Sequence, residues 1–173
     1  MKKIIFTISV VIIAIIGCKS TATDSKTLNL TFESKSNSNV TGTATFTEKN
    51  GKVTFVAKIS GLQPGVHAIH IHEKSDCSAA DGSSAGGHWN PTFKKHGKWG
   101  DAEYHRGDIG NFTADEKGNG TITLTTDEWA IGGDDPTKDI LGKGLIVHQG
   151  ADDYVSQPAG NAGARVACSA IIK

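Results

Sequence analysis

From Leu28 onward, apolar residues recur at every second position. Leu28, Leu30 and Phe32 alternate with polar neighbours, as do Val53, Phe55, Ala57 and Ile59. Ile122 and Leu124 repeat the pattern inside Thr121–Thr125, and Val166, Cys168 and Ala170 repeat it near the end of the chain. A period of two is the signature of strands with one buried face. Turn-forming clusters separate the runs: Lys49-Asn50-Gly51-Lys52, Gly61-Leu62-Gln63-Pro64-Gly65 and Lys117-Gly118-Asn119-Gly120. Beyond the N-terminal segment no stretch carries a helical apolar stripe. Short strands at this spacing predict an all-β sandwich or closed barrel.

Three segments break the alternation: Ser75 to Arg106, Asp127 to Asp139, and Gly150 to Gly163. Structureless loops beyond about 12–15 residues are uncommon unless they are functional. The histidines point the same way. His70 and His72, two apart on one strand, face the same side and can meet one metal, although a surface pair is the rival reading. His67, an odd number of positions from His70, faces the other way and reads as a hydrogen-bonded structural residue. His88, His96, His105 and Asp108 follow at spacings of 8, 9 and 3 residues. Three imidazoles and a carboxylate suit a tetrahedral Zn²⁺ site, with Asp108 as a plain turn residue the alternative. His148 ends the apolar run Leu145-Ile146-Val147, where a strand delivers its side chain to a loop-covered rim.

Composition matters most at the N-terminus. Lys2 and Lys3 precede an apolar run from Ile4 to Ile16, which closes in Ile15-Ile16-Gly17-Cys18. This describes a secretory signal peptide over residues 1–17. The closing residues also resemble a bacterial lipobox, whose cysteine is lipidated; an ordinary signal with an incidental cysteine is the alternative. Residues 18–26 read as a lipidated Cys18 on a flexible polar tether, and 27–173 as the folded domain. The three cysteines then leave Cys77 and Cys168, which an oxidising compartment favours as one disulfide over two buried thiols. The chain carries 18 basic and 18 acidic side chains, and loss of residues 1–17 leaves 16 against 18, a net charge of −2. That balance argues against a nucleic-acid partner.

The motifs resemble the Cu,Zn superoxide dismutase family along nearly the whole mature chain. They are Gly65-Val66-His67-Ala68-Ile69-His70-Ile71-His72-Glu73, Gly86-Gly87-His88-Trp89-Asn90-Pro91, His96-Gly97, His105-Arg106-Gly107-Asp108-Ile109-Gly110-Asn111, Val147-His148-Gln149-Gly150-Ala151-Asp152-Asp153 and Gly160-Asn161-Ala162-Gly163-Ala164-Arg165-Val166-Ala167-Cys168. The resemblance implies an eight-stranded Greek-key antiparallel barrel with long metal-binding and electrostatic loops. It implies copper at His70, His72, His88 and His148, and zinc at His88, His96, His105 and Asp108, the His88 ring bridging the two. Asp152 would link the His70 and His96 rings, and Arg165 would draw the superoxide anion to copper. Cys77 and Cys168 would pin the zinc loop to the barrel. The implied reaction dismutes superoxide to O₂ and H₂O₂, with His88 carrying a proton to the second substrate.

The sequence also departs from the animal members. Cys77 closely follows the copper strand, as in the bacterial branch. Residues 153–160 contain no lysine, which leaves Lys94, Lys95, Lys98 and Arg106 as substitutes for the steering charge or as plain surface cations. The expected location is a bacterial cell envelope, with the membrane reached through lipid on Cys18 and a homodimer possible. The rival readings are a non-catalytic copper or zinc carrier and a structural envelope lipoprotein on the same fold.

Overall fold

A computed structural model describes residues 25–173; the N-terminal basic-apolar segment and Cys18 lie outside the described residues. Nine strand segments form one antiparallel sheet that curls on itself. They are β1 (Lys26–Thr31), β2 (Glu33–Ser34), β3 (Thr41–Lys49), β4 (Lys52–Ser60), β5 (Gly65–His72), β6 (Gly110–Ala114), β7 (Gly120–Thr126), β8 (Lys143–His148) and β9 (Arg165–Ile171). Their order is β1-β3-β4-β7-β6-β5-β8-β9-β2. β1 and β2 are two pieces of one strand interrupted at Phe32. The first piece pairs with β3 and the second with β9, so the bend all but closes the barrel. This is why an eight-stranded expectation meets nine segments. The connections β4→β5 and β7→β8 each pass over two intervening strands, which makes the Greek key.

Local chemistry sets the turns. Asn50 and Gly51 both take positive φ (53° and 73°), the backbone of a two-residue hairpin whose twist matches its strands. Inside, Phe46, Phe55 and Trp129 are fully buried, with ring centroids 4.8–6.3 Å apart. Each such ring stabilises the fold by roughly 1.5–3 kcal/mol through the apolar area it removes from water. Val53, Phe55, Ala57 and Ile59 face this core as their alternation requires. Ile122 and Leu124 are only half-buried, because β6 and β7 share a single pair, Ala114 with Gly120, and the barrel is loosest there.

β9 departs from the expected one-sided burial. Val166, Ala167, Cys168 and Ser169 are all buried, while Ala170 is only partly so. The core takes Val166, Ala167 and Ile171; Cys168 instead packs with Ala85, Ile146 and Cys77 in a small separate cluster. Both faces are covered because the 75–106 loop lies over the outside of β8 and β9. The Cys77–Cys168 disulfide, Cα atoms 5.8 Å apart, fastens that loop.

The bridge closes a sequence separation of 91 residues. Reducing it should therefore lower stability by roughly 4–5 kcal/mol in the chain-entropy model. Thermal melts with and without reductant check this; an unchanged midpoint after titrated thiols confirm reduction would show the bridge to be idle.

Candidate metal centre

Strand alternation places the site. On β5, Ile69 and Ile71 enter the core, so His70 and His72 project from the opposite face, where both are buried. β8 runs beside β5, with Ile69 opposite Val147, and brings His148 alongside; its ring centroid lies 4.9 Å from that of His70. The long loop returns to the end of β5 through its own backbone. Trp89 N–H donates to Ile71 O (2.8 Å), Ile71 N–H to Gly107 O (2.9 Å) and Gly107 N–H to Trp89 O (3.0 Å). These bonds set His88 next to His72, and His105 and Asp108 behind it.

The result is two groups of four buried side chains that share one member. One is His70, His72, His88 and His148; the other is His88, His96, His105 and Asp108. Within each group the possible ligand atoms lie within 4.8 Å of one another. His67 belongs to neither. Its two ring nitrogens bond the carbonyls of His148 (3.1 Å) and Gln63 (2.8 Å), the structural role its opposite facing predicts.

Each remaining imidazole is held by one nitrogen while the other is left without a hydrogen bond. His70 Nε2 donates to Asp152 Oδ2 (2.8 Å), His72 Nδ1 to Gly86 O (2.9 Å) and His148 Nδ1 to Gly163 O (3.4 Å). His96 Nε2 donates to Asp152 Oδ1 (2.9 Å) and His105 Nε2 to Lys94 O (3.0 Å). The partnerless atoms are His70 Nδ1, His72 Nε2, His88 Nε2, His96 Nδ1, His105 Nδ1 and His148 Nε2. His96 Nδ1 and His105 Nδ1 lie 3.0 and 3.4 Å from the Asp108 carboxylate without hydrogen-bond geometry, and the other four face one another; such buried nitrogens are costly unless cations fill the gaps. Fixing one ring nitrogen leaves the other as the ligand atom; His88 differs, since its Nδ1 faces Asp108 Oδ1 of the second group (2.8 Å) while its Nε2 is free toward the first. An all-imidazole set fits copper, and the set with a carboxylate fits zinc.

Protonation follows the same geometry. Burial pushes His72 and His148 well below the ordinary histidine value, and the neighbouring imidazoles add to it. Burial also takes His88 down to about 4 against the opposing pull of Asp108. His96 is pulled down by burial as well, but the Asp108 and Asp152 carboxylates on either side outweigh it and raise it to about 9. Burial opposes ionisation of Asp108 and Asp152, yet the surrounding imidazoles hold both carboxyls well below the usual carboxylate range.

A family model described as copper/zinc superoxide dismutase (SODC) matches residues 40–171. The chain belongs to this family. A copper/zinc superoxide dismutase is an oxidoreductase acting on superoxide, and the two histidine-rich groups are what such an enzyme requires for copper and zinc.

The dismutase site opens into a cavity of about 730 Å³. His72, His88, His148 and Arg165 line it, with Lys94 and Lys95 from one loop and Gln157 and Pro158 from the other. Arg165 donates to Gly82 O and Gly86 O, both at 2.8 Å. Of the four cations considered for the missing steering charge, Lys94 and Lys95 lie on this cavity and Lys98 does not. Arg106 is paired with Glu128 and is spent elsewhere. Glu73 and Asn111 stand at the ends of two of the motifs without a role assigned there, and Gln157 carries no signal at all, since a lone polar residue shows no pattern. Glu73 lines the cavity and takes Gly87 N–H; Asn111 bonds the backbone of Asp152 in both directions; Gln157 does the same for His96. Gly160, at φ 67°, is the one residue that can pass over Asp152, because a Cβ there would overlap the carboxylate.

His96 must lose a proton to bind zinc. Zinc affinity should therefore rise by up to about tenfold per pH unit from about pH 7 and level off above 9, with roughly one proton released per ion at neutral pH. Titration calorimetry in buffers of different ionisation heat measures this, and a flat affinity between pH 7 and 9 would contradict it.

Proposed function

We propose that this protein dismutes superoxide in a bacterial cell envelope, where lipid on Cys18 holds it to a membrane. The shared His88 ring is the observation that carries the catalytic part. His70, His72, His88 and His148 would hold copper, and His88, His96, His105 and Asp108 would hold zinc. Copper supplies the one-electron change that superoxide needs in both directions, while zinc has none to offer.

The protein's own residues do the rest. Burial keeps His88 neutral at pH 7 and leaves its Nε2 lone pair free to ligate, and the same atom is the one that would carry a proton to the second superoxide. Asp152 fixes the tautomers of His70 and His96 at once. Arg165 supplies a permanent cation at the cavity wall, with Lys94 and Lys95 extending the positive lining outward. The substrate is a small anion and the mature chain is slightly acidic, so attraction must be local. The cavity lining sets three cations, Arg165, Lys94 and Lys95, against the one carboxylate of Glu73; a cleft with such an excess of one sign raises association rates, by up to roughly 10–10³, and salt erodes that gain. The envelope part rests on the basic-apolar N-terminus ending in Gly17-Cys18 and fits a structural disulfide, which persists in oxidising compartments.

With copper and zinc loaded, superoxide decay should slow in the order Arg165→Lys, Arg165→Ala, Arg165→Glu. Salt should slow the unaltered protein more than Arg165→Ala. Wild-type turnover and salt dependence in a fully metallated Arg165→Glu protein would remove Arg165 from the site.

Cys18→Ser should move the protein from the membrane to the soluble fraction and leave the barrel active, since stable anchoring needs more than one acyl chain and that cysteine carries them. Retention in the membrane at high salt would refute the lipid anchor.

A further inference from the structure

Lys35 is the one buried lysine among the described residues, with 9% of its side chain exposed. A buried cation is costly unless it is paired. Its partners are Glu33 Oε2 at 3.2 Å, on a side chain that is 68% exposed, and the Cys77 carbonyl at 2.5 Å. The shorter and less solvent-screened contact is therefore to a backbone oxygen of the disulfide loop. The residues around Lys35 grip the same two segments. Lys35 N–H donates to Val166 O (2.9 Å), Ser36 N–H to Ala80 O (2.8 Å), and Ser36 Oγ to Arg165 O (2.9 Å).

The Lys35 stem and the Arg165 stem lie on the same side of Gly82. A Cβ at Gly82 would sit 3.3 Å from Arg165 Cβ and 3.7 Å from Lys35 Cγ. The Arg165 guanidinium has no carboxylate partner among the described residues; the carbonyls of Gly82 and Gly86 hold it. Its position is thus set by where the 77–86 segment lies. That segment is tied at Cys77 twice, covalently through sulfur and non-covalently through its carbonyl to Lys35.

We propose that Lys35 is a positioning residue for Arg165: it anchors the Cys77 carbonyl, and so the two carbonyls that hold the guanidinium in the cavity. The proposal rests on the reading of Arg165 as the group that draws superoxide to the site. A cation is suited to this task because a charge-assisted bond to a carbonyl is about twice as strong as a neutral one. The sequence gives no sign of it, since Lys35 sits in the polar run Glu33–Asn39 and reads there as surface charge.

The test uses the copper- and zinc-loaded protein with Lys35→Met, Lys35→Arg, Arg165→Ala and the double variant Lys35→Met/Arg165→Ala. Methionine keeps the packing of the stem, so the barrel should fold. Superoxide decay should fall about three- to tenfold in Lys35→Met, a part of the 10–10³ range a charged cleft provides, and stay near wild type in Lys35→Arg. In the Arg165→Ala background Lys35→Met should cost nothing further, because residues acting through one another are non-additive. Hydrogen exchange of the Gly82, Ala85 and Gly86 amides should quicken in Lys35→Met while β4 stays protected. A wild-type rate with unchanged exchange overturns the proposal. So does an equal fold-loss in both backgrounds, which would mark a general charge effect. No turnover by the loaded wild-type protein would instead refute the dismutase reading of the site, and the exchange measurement would still decide whether Lys35 holds the loop.

Discussion

One buried carboxylate ties the centre together. Asp152 accepts from His70 Nε2 through one oxygen and from His96 Nε2 through the other, at 2.8 and 2.9 Å. The two rings belong to different ligand groups and to different parts of the chain, β5 and the long loop. A single side chain on a third segment therefore fixes the tautomer of one histidine in each group. The cost of burying its charge is offset by these two bonds and by Tyr154 N–H, which donates to Oδ1 (2.7 Å). Asn111 holds the Asp152 backbone on both sides, and Gly160 leaves the space above it. Much of the 149–164 loop is thus organised around one ionised group.

The barrel contributes rigidity at a distance. Alternation along β5 and β8 puts isoleucine, leucine and valine into the core and histidines on the opposite face, so core packing fixes the directions of His70, His72 and His148. Loops supply the remaining ligands, and they are stitched back by backbone bonds at Ile71, Trp89 and Gly107 and by the disulfide. The division is clear: strands supply three members of one group, and the loop supplies the shared His88 together with His96 and His105 of the other.

Much of this was legible in the sequence. Period-two runs such as Val53–Ile59 placed strands and faces correctly, because those strands have solvent on one side. The same rule misread β9, where the covering loop buries Cys168 on the outer face, and overstated the burial of Ile122 and Leu124. Parity alone separated His67 from His70 and His72. The histidine spacings suggested the set of His88, His96, His105 and Asp108 and the pair His70 and His72; the resemblance supplied the four-imidazole set and the sharing of His88, and the fold brings both sets together. What remained hidden were the contacts made by single polar residues to backbone atoms far along the chain: Asn111 to Asp152, Gln157 to His96, Lys35 to Cys77. No periodicity marks such residues, since each depends on where two loops meet in space. Arg106 was legible as a cation but not as one already neutralised by Glu128.

The Gly86 carbonyl accepts from both His72 Nδ1 and Arg165 Nη2. A carbonyl oxygen has two lone pairs, so both are in use and none is left for water. The cavity-lining guanidinium of Arg165 and the His72 ring of the four-imidazole group consequently share one atom of backbone. Polarising that oxygen from either side changes what the other side feels, a cross-talk that needs no movement of the chain. Position 86 also takes a φ of 77°, and a Cβ there would run into Glu73 Oε2. The joint between attraction and chemistry is therefore a peptide whose side chain cannot vary: mutation can reach it only through its neighbours.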